Sequence, residues 1–178
     1  MHAIAGQTFS NSRSLKEARS AFEARLMALS RAHDTLTQES WEGADLDIVV
    51  KKAIEPLDTE QGRFHIEGPN AQLAPSAALS LAMALHELGT NAVKYGALSN
   101  EQGHVSIIWQ IKDGDEERRL HLRWTEQGGP LVVLPTRKGF GSILVGRVLA
   151  QELGGNVQVD YQSSGLVCMI DAPMPTGP

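Results

Sequence analysis

Three stretches between residues 104 and 173 alternate apolar and polar side chains: HVSIIWQI (104 to 111), RLHLRWTE (119 to 126) and NVQVDYQSSGLVCMIDAP (156 to 173). A period of two sends successive side chains to opposite faces of an extended chain, so these runs read as strands with one buried and one wet face. The last is long enough to double back as a hairpin. RFHIEGPNAQL, closed by Gly68-Pro69, reads as a further short strand. Between the strands the period changes. Pro75 and Ser76 open a helix stopped by Gly96, LDIVVKKAIEPL is a second helix ending at Pro56, and a third runs from about Ser142 to Leu153 before Gly154-Gly155. Antiparallel strands interleaved with helices predict an α/β fold, a two-layer α/β sandwich rather than a doubly wound parallel sheet.

A chain of 178 residues, 42% hydrophobic, can bury a sizeable core, and it suits one compact domain with an appended helical element. The net charge of −5 and the lack of any run of lysine and arginine exclude a general basic field, so nucleic acid is not an expected partner. One cysteine, Cys168, lies in the apolar run LVCMI, which excludes a disulfide framework and predicts a buried thiol in a reducing compartment. No stretch approaches the roughly 20 apolar residues of a membrane span, and the N-terminus lacks a secretory pattern. A cytoplasmic, membrane-free segment is expected.

The N-terminal part is helical in a different way. From Ser14 to Leu36, Leu15, Phe22, Leu29 and Leu36 recur on a seven-residue step, and Ser14 with Glu17 forms a capping-box pattern. About 23 residues span roughly 35 Å. One apolar seam on so long a helix wants a partner, so residues 14 to 37 are expected to pair in this chain or between two copies. TQESWEGADL breaks the pattern, giving expected units at 1–38 and 39–178.

Three motifs carry candidate chemistry. In HELGTNAVKYGAL (86 to 98), with Glu87 at zero and about 100° per residue, Asn91 falls near about 40° and Lys94 near about −20°, beside an apolar side of Leu81, Leu85, Leu88 and Ala92. Such a polar stripe suits a solvated face. It also suits nucleotide handling, with an amide oxygen for magnesium, a carboxylate for a nucleophile or water, and an ammonium for phosphate. In RWTEQGGP (123 to 130), Glu126 ends a strand where it can accept from an exocyclic amine, and Gly128 and Gly129 leave room for a flat ring; a polar turn fits equally. Trp124 reads as core. In KGFGS (138 to 142), two glycines before a helix can turn backbone N–H groups toward an anion, although the Rossmann and P-loop patterns are absent. His33, His65, His104 and His121 show no metal-ligand spacing, and nothing marks a nucleophilic hydrolase.

Taken in order, HELGTNAVKYGAL, RWTEQGGP and GFGS before a helix resemble the N, G1 and G2 boxes of sensor histidine kinases. The resemblance is to the HWE subfamily, whose name-giving residues match His86, Trp124 and Glu126; RAHDTL (31 to 36) and its spacing to Trp41 extend it over nearly the whole chain. It implies a Bergerat-type ATP-binding domain preceded by part of a helical dimerisation hairpin. It also implies ATP and Mg²⁺ as ligands. Asn91 would hold the metal, Glu87 would orient the reacting centre, Lys94 would contact phosphate, and Glu126 would read the adenine amine. His86, Tyr95, Gly128, Gly129, Gly139, Phe140, Gly141 and Ser142 would border the nucleotide, with bracing of the helix the alternative role for His86.

Nine residues separate Gly129 from Gly139, so the lid implied over the nucleotide is short. HAIAGQTF at the start reads as the end of a helix, and the family's phosphoacceptor histidine is expected upstream, since neither His2 nor His33 has its context. A response-regulator receiver domain and an upstream sensor domain are the implied partners. Three other readings stay open: an ATP-binding regulatory module without autokinase activity, an anti-sigma-type serine kinase, and a helix-mediated interaction domain.

Overall fold

A computed structural model describes residues 44–58, 62–113, 117–132 and 144–174. The predicted long helix at 14 to 37, RAHDTL, Trp41 and the 38/39 boundary lie outside those residues. The first element is β1 (Ala44–Asp45), which pairs antiparallel with β3 (Gln72–Leu73). Asp45 caps the following helix, α1 (Leu46–Ile54), because its Oδ1 accepts the N–H of Asp47 at 2.9 Å. Pro56 then tightens the chain into a 3₁₀ turn at Glu55–Leu57, where the predicted helix was to end.

The main sheet contains β2 (Phe64–Glu67), β4 (His104–Asp113), β5 (Arg118–Gln127), β6 (Asn156–Gln162) and β7 (Gly165–Pro173), in the order β2-β4-β5-β7-β6. The three alternating runs fold as predicted, with β6 and β7 forming the hairpin and Gln162 opposite Gly165. The edge strand β2 runs parallel to β4, while the other pairs are antiparallel. The sheet is therefore mixed. A parallel neighbour requires a crossover, and β3 with the long helix α2 (Pro75–Lys94) supplies it.

The alternation decides which face is buried. Val105, Ile107 and Trp109 of β4, Leu120, Leu122 and Trp124 of β5, and Cys168, Ile170 and Ala172 of β7 meet α1, α2 and a short C-terminal helix, α3 (Leu149–Leu153), in one core. The intervening positions Ile108, Gln110, Arg123 and Gln127 are exposed. This is the expected two-layer α/β arrangement. The segment before α3, Leu144–Val148, is a π-helical turn rather than the regular helix anticipated. No helix among the described residues is long and apolar enough to cross a membrane.

Candidate functional site

Helix α2 carries the polar triad as a gradient of burial. Leu81, Leu85, Leu88 and Ala92 are buried as their angular spacing predicts. Glu87 is also buried, at 8% exposure; Asn91, one turn on, is half-buried, and Lys94 is exposed. The stripe is thus not a uniformly solvated face: its carboxylate enters the protein and its ammonium reaches water. His86 is buried at 7%. Tyr95 is 74% exposed.

The helix ends when the N–H groups of Tyr95 and Gly96 both bond to the Asn91 carbonyl, at 2.8 and 3.1 Å. The chain then turns directly over Glu126. This side chain is 4% exposed at the end of β5; its Oε2 accepts the Ala97 N–H at 2.9 Å and its Oε1 accepts the Trp124 indole N–H at 3.3 Å. Gly96 permits the approach, since a Cβ there would stand 2.0 Å from Oε2. Burial pushes the Glu126 carboxyl above the usual glutamate range, and the two N–H donors pull it part of the way back.

Gly128 adopts φ 73°, in the left-handed region, and a Cβ on Gly129 would lie 2.7 Å from the Ala97 Cα. Both glycines therefore let the strand end pack on the turn after α2; the room they make is filled by backbone. Residues absent from the sequence reading complete that turn. Asn100 donates from Nδ2 to the Gly128 carbonyl at 2.9 Å, while its Oδ1 accepts the N–H groups of Gln102 and Gly103. Arg63 donates to the carbonyls of Ala97 (3.3 Å), Asn100 and Gly103 (2.8 Å). The Asn-x-x-Gly spacing of SNEQG was a usable turn signal for Asn100; a lone arginine before a strand carries none. Trp124 is fully buried, as predicted.

Residues 1–70 match a family model described as HWE histidine kinase. Over 175 residues, 98% of this chain, the sequence is 41% identical to blue-light-activated histidine kinases of Brucella ovis and Brucella anthropi. The chain thus resembles the HWE histidine kinases. It spans about a third of the length of those curated relatives, 36% of each. In fold, the chain is similar to the histidine kinase domain of the Erythrobacter litoralis EL346 blue-light activated histidine kinase, with TM-score 0.62 and 17% identity over 86% of this chain and 74% of that one. It is also similar to the catalytic domain of histidine kinase ThkA, with TM-score 0.55 and 14% identity over 75% of this chain and 96% of that one. At such identities the likeness establishes the Bergerat-like fold.

Among the described residues, no three His, Cys, Asp or Glu side chains cluster as a metal site. His65 pairs with Glu67 at 3.2 Å and His104 with Gln127 at 3.1 Å, both exposed on the sheet. The structure brings Glu126, Gly128 and Gly129 against the end of the helix bearing His86, Glu87, Asn91, Lys94 and Tyr95. Gly139, Phe140, Gly141 and Ser142 lie outside the described residues.

Proposed function

We propose that this chain is the ATP-binding catalytic part of a sensor histidine kinase, taking the γ-phosphoryl of Mg·ATP to a histidine upstream and from there to a response-regulator aspartate. The observation that carries the reading is the graded burial of Glu87, Asn91 and Lys94 along a helix whose end is tied to the buried carboxylate of Glu126. A base contact at Glu126 and a phosphate contact at Lys94 would then be tied together through the end of one helix. The 41% identity to blue-light-activated histidine kinases supports the assignment of reaction class.

In the transfer, a bond forms from the acceptor imidazole nitrogen to the γ-phosphorus, the bond from that phosphorus to the bridging oxygen breaks, ADP leaves, and the imidazole ring gives up its N–H proton to water. Little covalent help is needed, so positioning and charge neutralisation dominate. Lys94, exposed at the helix end, would meet phosphate; Glu87, buried about two turns earlier, would orient the reacting centre. The half-buried Asn91 offers one hard oxygen, which suits magnesium, an ion that takes few protein ligands and retains water and phosphate oxygens. When bound there, magnesium would neutralise phosphate charge. The HWE family model over residues 1–70 supports a second helical unit through which two copies and a receiver domain would assemble.

Calorimetric titration of Mg·ATP into the whole chain and its Asn91→Ala variant tests the site. Affinity is expected to fall about tenfold or more with magnesium and to change little in its absence. Equal affinities with magnesium would remove Asn91 from the site. In the full-length protein, the label from γ-labelled ATP is expected to be acid-labile; an acid-stable label would point instead to a serine kinase.

A further inference from the structure

Trp124 has more than a packing role. Its ring is fully buried, set edge-on to Phe64 with centroids 6.2 Å apart, and its far edge lies near Gly89 of α2, where Leu57 fills the space. A phenylalanine could serve that purpose. Its indole N–H, however, donates to Glu126 Oε1, two residues along the same strand face, while the Ala97 N–H holds Oε2. Each carboxylate oxygen is thus met by one protein donor, and with about four lone-pair sites the group keeps acceptor capacity for a ligand.

Donors aimed at both oxygens favour the form of Glu126 that only accepts, against the burial that favours the carboxylic acid. Its titratable neighbour on β6, Tyr161, brings no positive charge that could do the same. Trp124 is the side-chain donor in the pair.

We propose that Trp124 is a positioning and specificity-determining residue, whose indole N–H keeps Glu126 an acceptor so that the site takes a purine triphosphate with an exocyclic amine at C6 over one with a carbonyl there. This rests on the reading of Glu126 as the base contact. Adenine presents an N–H donor at C6, whereas hypoxanthine presents an oxygen that a carboxylate repels. Without the indole N–H, Oε1 loses a partner, and a carboxyl free to take a proton can donate to the oxygen of the wrong base.

The test compares ATP and ITP binding to the whole chain, to Trp124→Phe, which keeps the ring and loses the N–H, and to Glu126→Gln. The preference for ATP is expected to drop about tenfold in both variants, because a site that hydrogen-bonds a substrate N–H discriminates through that bond. A merely structural Trp124 would weaken both nucleotides together and leave the ratio unchanged. If Glu126→Gln collapses the ratio and Trp124→Phe does not, the role of Trp124 is overturned while the base contact stands; if neither does, both fall. Should Trp124→Phe not fold, the indole N–H resonance of wild-type Trp124 decides. It is expected to shift on adding ATP and to shift less with ITP, and a resonance unmoved by ATP overturns the proposal.

Discussion

The N–H of Ala97 donates to Glu126 Oε2 at 2.9 Å, joining the first residue beyond the α2 turn to the end of β5 across 29 positions of sequence. The contact exists only because Gly96 has no side chain. Gly96→Ala places a Cβ 2.0 Å from the same oxygen and 3.0 Å from the Ala92 Cα, so the carboxylate must leave its place. The expected cost is about 1 to 3 kcal/mol, that of a buried polar group left without its partner. Denaturant unfolding measures it, and ATP affinity should fall in parallel.

Glu126 also fixes the sign of a pH dependence. Its folded carboxyl titrates above the ordinary 4.5 of a glutamate, chiefly because it is buried. The native state therefore holds a proton that the unfolded chain has released, and the stability this brings is full below 4.5 and lost as pH rises through the folded value. In melting experiments from pH 4 upward, wild type should lose ground to Glu126→Gln as pH rises. A constant gap between the two proteins would contradict the shift.

Cys168 is fully buried in the core and its thiol is pushed up to about 12 by burial alone. At pH 8 roughly one thiol in ten thousand would be ionised, and reactivity follows the thiolate. Labelling by a thiol reagent should be negligible in the native protein and rise with denaturant along the unfolding transition. Prompt labelling under native conditions would show that β7 opens locally.

Trp109 anchors the middle of β4. Its ring is 1% exposed, and its indole N–H donates to the Pro69 carbonyl at 2.8 Å, tying the loop after β2 to the sheet. Trp109→Ala should cost about 3 to 5 kcal/mol through the cavity it leaves. Trp109→Phe should cost less but still leave the Pro69 carbonyl without its donor. Chemical denaturation of both variants separates packing from the hydrogen bond.

The strands were legible because alternation is a local signal: Val105, Ile107 and Trp109 declare their common face without reference to any partner. The apolar side of α2 was legible for the same reason. The parallel pairing of β2 with β4 was not, since four residues of FHIE say nothing about their neighbour. Glu126 could be picked out at its strand end, but not its bonds to Ala97 and Trp124, which depend on how the turn after α2 folds back. Gly128 and Gly129 were read as space for a ring; the structure gives that space to the backbone around Ala97, because a glycine's missing Cβ does not say what will approach it. The burial of Glu87 sets the wet-face reading of the stripe aside at that residue, an outcome helix periodicity cannot decide because it does not say what packs over one carboxylate.

Arg63 reaches three carbonyls of the turn between Ala97 and Gly103 from a position just ahead of β2. A single guanidinium thus acts as the keystone of an arch whose other stones are Asn100, Gly128 and Glu126. Because those three carbonyls hang from one side chain, removing the guanidinium would loosen the turn as a whole, whereas losing any single bond would leave two to hold it.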